Sequence, residues 1–182
     1  YGASPITINA VEAQSSGLEL SARAAINNNL TLHSTYAYTK AELSEDSPLL
    51  DNTLDGDRLP GSAEHQFSLG VNYQTELDNN YLLDIDYGLV AQSDVYTSVG
   101  LSNFGEVLPG YALSNLSSTI TKDNWQATFY IDNMFDKYAY TSVRQNKGVV
   151  NGVQNSNILR HYGHYILTPR TIGIRVNYAF DL

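Results

Sequence analysis

The chain alternates between apolar and polar positions in seven stretches. In the last of them, residues 170–182, the even positions hold Ile172, Ile174, Val176, Tyr178, Phe180 and Leu182, and most odd positions are polar. Successive side chains of a β-strand point to opposite faces, so this pattern predicts a strand with one apolar and one polar face. The same pattern predicts strands near residues 17–26, 30–39, 65–74, 81–92, 111–121, 125–135 and 170–182.

The connections between these strands alternate between short and long. The short connections are the turns at 27–29, 75–80 and 122–124. The long connections are 40–64, 93–110 and 136–169. No helical periodicity of useful length is visible. The sequence therefore predicts an all-β, antiparallel, up-and-down arrangement of about seven strands.

Two stretches depart from the regular pattern. Residues 1–14 alternate weakly and are predicted to form a loop or a partial strand. Within 111–121 the apolar positions change parity near Asn115, from Tyr111 and Leu113 to Leu116 and Ile120. A β-bulge would explain that change, so one is predicted there.

Composition narrows the class of protein. The formal charge is −9, which argues against nucleic acid as a partner. The absence of cysteine excludes disulfides and thiolate metal sites. No apolar run reaches the length of a transmembrane helix, and no signal peptide is visible. Because the chain begins with Tyr1 rather than Met, it is expected to be a mature product or a piece of a longer protein.

Aromatic residues are placed as a membrane-spanning sheet would place them. The chain holds 14 tyrosines, and residues of this kind favour the boundary between lipid and water. Predicted interface aromatics near the strand ends are Tyr36, Tyr38, Tyr73, Tyr81, Trp125, Tyr178 and Phe180. Together with the long strands and the alternation of short periplasmic turns and long extracellular loops, they predict part of a transmembrane β-barrel. A soluble all-β module, such as a carbohydrate-binding domain, remains the alternative.

Four segments resemble the C-terminal part of the β-barrel of TonB-dependent outer-membrane receptors. They are residues 12–20 (EAQSSGLEL), 59–73 (LPGSAEHQFSLGVNY), 129–138 (FYIDNMFDKY) and 169–180 (PRTIGIRVNYAF). The family's barrel has about 22 strands and a plugged lumen, so the resemblance implies that this chain is roughly the last third of one. The family's N-terminal plug and its TonB box are absent from these residues.

The resemblance also implies a function, a location and partners. It implies uptake of a scarce ligand across the bacterial outer membrane with energy relayed by TonB, with an iron–siderophore ranked before cobalamin or a carbohydrate. The implied partners are outer-membrane lipid and lipopolysaccharide, the rest of the barrel, the plug, and TonB through that plug. No cofactor and no enzymatic activity are implied. If residues 1–14 supply an eighth strand, a small closed barrel with a pore or structural role is the alternative, because single-chain barrels have an even strand number.

Candidate site residues fall into two groups. In the last long loop, Arg144, Arg160, His161, Tyr162 and His164 could bind and stack on an anionic chelate, although a solvated loop with anchoring tyrosines is the simpler explanation. The polar strand parity predicts that Glu19, Arg23, Asp84, Asp86 and Arg175 face the lumen. No metal site is predicted, because His161 and His164 are three residues apart on a predicted loop, and only a helix would suit that spacing.

Overall fold

The computed structural model describes residues 12–48, 53–102, 105–147, 149–150, 153–154 and 160–180. Within these ranges no helix is long and apolar enough to cross a membrane. The strands are β1 (Ala13–Ala25), β2 (Leu30–Leu43), β3 (His65–Leu77), β4 (Tyr81–Gln92), β5 (Val95–Tyr96), β6 (Val107–Leu108), β7 (Tyr111–Lys122), β8 (Trp125–Asp132), β9 (Tyr140–Lys147), β10 (Val149–Val150), β11 (Val153–Gln154), β12 (Arg160–Ile166) and β13 (Thr171–Tyr178). Two short 3-10 turns cover Asp78–Asn80 and Val99–Leu101.

Seven of these strands form one antiparallel sheet in the order β1-β2-β3-β4-β7-β8-β13. Each of these seven strands pairs with the next of the seven along the chain. The other six strands lie within the long connections. The sheet therefore runs up and down, as the sequence predicts. Its two edges, β1 and β13, do not pair with each other in the part of the chain that the structure describes.

The register places the apolar residues of neighbouring strands on the same face of the sheet. Val71 of β3 lies between Leu32 of β2 and Tyr87 of β4. On the opposite face, Asn72 lies between Thr31 and Asp86. Because the side-chain period of a strand is two, one such alignment fixes the faces along the whole sheet.

None of the described residues packs as a core against the apolar face. Ile174 is 73% exposed, Trp125 57% and Leu20 55%. The buried apolar side chains among the described residues are Leu43, Ala63, Leu108 and Ala139, and all four lie near the long connections. A soluble sandwich would cover this face with a second sheet, so the exposure favours a sheet whose apolar face meets lipid.

The three short turns are stabilised by different local hydrogen bonds and backbone conformations. In the first, the side-chain oxygen of Asn27 accepts hydrogen bonds from the backbone N–H groups of Asn29 (2.8 Å) and Leu30 (2.9 Å). In the second, Asn79 and Asn80 have left-handed φ angles of 61° and 62°. In the third, Asp123 has φ 49°. Asn and Asp tolerate these conformations because their short polar side chains bond to nearby backbone.

The structure corrects the predicted bulge. The register between β4 and β7 runs without a shift from Leu82 opposite Thr121 to Gln92 opposite Tyr111. Tyr111 and Leu113 therefore lie on the polar face, and the apolar face of β7 carries Leu116 and Ile120. The change of parity in the sequence reflects two apolar side chains that turn inward near the long connections.

Other differences concern strand ends. β1 begins at Ala13, β8 ends at Asp132 and β13 ends at Tyr178, whereas the pattern predicted strands over 17–26, 125–135 and 170–182. The long segment predicted as a loop over 136–169 contains a hairpin, because β9 pairs with β12. Residues 1–11 and 181–182 lie outside the described residues.

Candidate functional site

The polar face carries the five charged side chains that the sequence assigned to a lumen. Glu19 and Arg23 are on β1, Asp84 and Asp86 on β4, and Arg175 on β13. Their positions follow from the register, since Asp86 lies beside Asn72 and Arg175 lies opposite Thr128. All five share the face that also bears Gln66 and Ser68.

A hydrogen-bonded cluster surrounds the two aspartates. The side-chain nitrogen of Asn72 donates to Asp84 (2.8 Å) and to Asp86 (2.9 Å). The side-chain amide of Gln74 donates to the other oxygen of Asp84 at 3.2 Å. These donors hold both carboxylates in place near the short-turn end of the sheet, where they give the polar face a local negative charge.

Two glycines on the polar face make room for large rings. A Cβ atom added at Gly70 would collide with the imidazole of His33, and one added at Gly173 would collide with the ring of Tyr130. Both rings therefore lie flat across a neighbouring strand. The Tyr130 ring has the Arg175 guanidinium 5.7 Å above its centre, an arrangement that cation–π attraction favours.

A cavity of about 460 Å³ opens on the polar face at the long-connection end of the sheet. We call it the vestibule. Its lining includes Gln66, Gln92, Tyr96, Tyr111, Thr141 and Ser142. These are amide, phenol and hydroxyl side chains, which can donate and accept hydrogen bonds without carrying charge. The vestibule can therefore hold a polar ligand of moderate size.

Arg58 fixes one wall of the vestibule. It donates to the carboxylate of Asp94 (2.9 Å), to the backbone carbonyl of Asp94 (2.6 Å) and to the carbonyl of Ser62 (2.9 Å). Its guanidinium also lies 4.7 Å from the centre of the Tyr96 ring. Arg58 thereby ties the connection between β2 and β3 to the connection between β4 and β7.

A second tie holds the hairpin of β9 and β12. His164 lies 2.8 Å from the carboxylate of Glu106, and its ring packs against Tyr140 with 4.4 Å between centroids. A side-chain hydrogen bond with Tyr140 raises the pKa of the neighbouring Tyr138 hydroxyl above its ordinary value. The hairpin is thus attached to the β4–β7 connection at the mouth of the vestibule.

The predicted ligand residues have different surroundings in the structure. His164 is engaged by Glu106, and Arg144 is exposed near the end of β9. Arg160, His161 and Tyr162 lie on β12, and their side chains fall outside the described part of the structure. Their predicted contact with a ligand stays a prediction. Within the described ranges, no three His, Asp or Glu side chains are grouped so as to hold a metal ion.

The vestibule residues were missed by the sequence patterns. Gln66 and Gln92 belong to strands, Tyr96 to a connection, and Thr141 and Ser142 to the hairpin, so only the fold brings them together. One signal was present: Gln66, Gln92 and Tyr111 are polar-face positions next to long connections. Such positions line the mouth of any barrel of this type.

The described geometry defines a class of protein: part of the wall of an outer-membrane β-barrel, with an apolar outer face, a polar inner face and long loops at one end. A family model described as TonB dependent receptor-like, beta-barrel matches residues 2–134. That is more than half of the chain, which therefore belongs to this family, whose members lie in the outer membrane of Gram-negative bacteria. The short turns are accordingly periplasmic and the long connections extracellular.

Two solved receptors share the fold. The ferric yersiniabactin uptake receptor FyuA from Yersinia pestis superposes with a TM-score of 0.74 and 20% identity, covering 95% of this chain and 24% of its own. The ferric-catecholate import receptor Fiu from Escherichia coli K12 superposes with a TM-score of 0.63 and 20% identity, covering 92% of this chain and 21% of its own. This chain thus spans about a quarter of the length of the solved receptors. No curated protein sequence matches it.

Proposed function

We propose that the chain forms part of the barrel of a receptor that takes up a ferric chelate, with energy relayed by TonB through a plug domain. The observation that carries this proposal is the vestibule, a polar cavity of about 460 Å³ at the extracellular mouth of the inner face. The names of both solved neighbours describe receptors for iron chelates, which supports this ligand class over cobalamin or a carbohydrate.

In this proposal the chain contributes binding and containment and performs no covalent chemistry. The apolar face seals the barrel against lipid. The hairpin of β9 and β12 and the vestibule present hydrogen-bonding groups and aromatic rings to the chelate. We further propose that Arg144, Arg160, His161 and Tyr162 contribute cationic and aromatic groups for an anionic chelate.

The plug would occupy the polar face below the vestibule. Asp84 and Asp86 are held by Asn72 and Gln74, so their carboxylates are oriented toward the lumen before any partner arrives. An arginine or lysine of the plug is the partner whose chemistry they would suit. Motion of the plug past this fixed acidic surface would then open a path for the chelate.

The test uses the full-length receptor in cells that lack other routes for ferric chelates. Gln92 lines the vestibule, whereas the adjacent Ala91 lies on the outer face. Replacing Gln92 with Leu removes a hydrogen-bonding side chain, so we expect the Kd for the chelate to rise about 2–12-fold, the worth of one net hydrogen bond. Ala91→Leu, its matched control, should leave the Kd unchanged.

Energy use is tested separately in the same cells. A protonophore should stop accumulation of the labelled chelate while leaving surface binding intact. Chelate uptake that continues after the proton gradient is dissipated would contradict the receptor proposal and would support a passive pore. Equal effects of Gln92→Leu and Ala91→Leu on binding would instead contradict the assignment of the vestibule.

A further inference from the structure

A single lysine lies in a row of aromatic and apolar side chains at the periplasmic rim of the outer face. Lys122 is the last residue of β7, and it pairs with Trp125 of β8. Trp125 pairs in turn with Tyr178 of β13. On the other side, Leu82 pairs with Thr121, so the next position in the register sets Tyr81 of β4 beside Lys122. We call Tyr81, Lys122, Trp125 and Tyr178 the periplasmic row.

One ring of this row contacts the lysine, and the other two contact each other. The Lys122 ammonium lies 4.4 Å from the centre of the Tyr81 ring. The rings of Trp125 and Tyr178 are 4.7 Å apart, and Phe180 adds an edge contact to Tyr178 at 4.8 Å. Trp125 and Tyr178 are exposed on this face. The lysine therefore sits between aromatic rings rather than in open water.

The row lies at the depth of lipid headgroups. From Lys122 to Ala112, at the other end of the same face of β7, is ten residues, or roughly 33 Å along a strand. A tilt of about 40° reduces that distance to roughly 25 Å, the height of the apolar band of an outer-membrane barrel. Aromatic rings settle at the headgroup level, so the Lys122 ammonium reaches the phosphates of the inner leaflet.

The charge of Lys122 has an aromatic partner in Tyr81 but no carboxylate partner among the described residues. No ion pair joins it to a described carboxylate, although Asp123 follows it in the turn. Lys40 provides the contrast, because it lies on the same face near the extracellular end and pairs with Glu42 at 2.7 Å. At the extracellular end a carboxylate thus neutralises the lysine. At the periplasmic rim the ammonium is left for a ligand.

We infer that the periplasmic row is a binding site for an anionic phospholipid of the inner leaflet. The phosphodiester accepts hydrogen bonds from the Lys122 ammonium, Tyr81 and Trp125 flank the headgroup, and the acyl chains lie along the apolar strands above. Charge complementarity selects this occupant, since a lone cation on a lipid-facing rim matches a lipid phosphate. The site depends on neither the transported ligand nor TonB, so it stands or falls separately from the uptake proposal.

The test measures lipid preference in the full-length receptor. The purified receptor in detergent is titrated with phosphatidylglycerol and with phosphatidylethanolamine, and bound lipid is counted by native mass spectrometry. The readout is the affinity ratio of the anionic lipid to the zwitterionic lipid. Lys122→Gln should lower this ratio about fivefold, as expected for loss of one cation near a lipid surface. Lys122→Arg should retain it.

Lys40→Gln serves as the matched control, because it removes a lysine from the same face but from the rim where a carboxylate is already its partner. It should leave the ratio unchanged. The inference is overturned if Lys122→Gln keeps the wild-type ratio, or if Lys40→Gln lowers the ratio as much. A heat-modifiable band on gel electrophoresis confirms for each variant that the barrel is folded. If the Gln variant does not fold, the affinity ratio of Lys122→Arg decides: a retained ratio supports the inference, and a lost ratio overturns it.

Discussion

Asn133 is a small buried residue on which the extracellular end of β8 depends. It is 3% exposed and has φ 50°, in the left-handed region. Its side-chain nitrogen donates to the carbonyls of Lys137 (3.0 Å) and Thr168 (2.9 Å), and its side-chain oxygen accepts from the Lys137 N–H (2.7 Å). One side chain thus ends a strand, shapes the following turn and holds the chain that leads into β13.

Replacing Asn133 with Ala should destabilise the receptor by about 2–3 kcal/mol, because it leaves buried polar groups unpaired and forces a Cβ residue into a left-handed conformation. Asn133→Gly removes the same hydrogen bonds but relieves the conformation, so it should recover about 1 kcal/mol of that loss. Thermal unfolding in detergent measures both variants. An equal loss for Ala and Gly would show that the backbone conformation contributes nothing.

Leu69 and Ser68 are neighbours on opposite faces of β3. Leu69 lies beside Leu89 on the outer face, and Ser68 shares a 2.6 Å hydrogen bond with Thr35 on the inner face. Leu69→Arg should cost about 2–4 kcal/mol because it places a charge near the middle of the bilayer. Ser68→Arg should cost much less, since its charge enters a hydrated lumen. Equal losses of unfolding free energy in the two variants would contradict the assignment of the faces.

Among the elements, the β9–β12 hairpin contacts the connection between β4 and β7 through the His164–Glu106 hydrogen bond, which can be removed by changing either residue. His164→Ala and Glu106→Gln should each increase hydrogen exchange in the hairpin. The double variant should add little, because both single changes remove the same interaction. Additive increases would mean that the two residues stabilise the hairpin independently.

The barrel strands could be predicted from the sequence because each has one face in lipid and one in water. Phe67, Leu69 and Val71 of β3 show this directly. β9 and β12 could not, because a hairpin that stands beyond the membrane meets water on both sides and has no reason to alternate. The error at β7 has a related cause, since Tyr111 and Leu113 lie on the polar face next to a long connection.

At the scale of the whole molecule, the sheet has two long edges. β1 is 13 residues long and β13 is 8, and each has one side unpaired in the described structure. Unpaired backbone groups are too costly in lipid for an open sheet to persist there. In the family's architecture, the remaining strands of the barrel cover both edges.

The 182-residue piece expressed alone should therefore not form a stable barrel. In detergent it should give no heat-modifiable band on gel electrophoresis, while the full-length receptor under the same conditions should give one. A heat-modifiable band from the piece would mean that its edges pair with each other or with a second copy. Such a result would favour the small closed barrel over a segment of a large one.

The scarcity of buried apolar side chains has a consequence for biogenesis. A chain whose described apolar residues become buried only at Leu43, Ala63, Leu108 and Ala139 has little to gain from adopting this fold in water. Its alternating strands are also too polar on average to stop in the inner membrane as helices. The same pattern that builds the barrel wall thus makes stable folding of the chain depend on lipid.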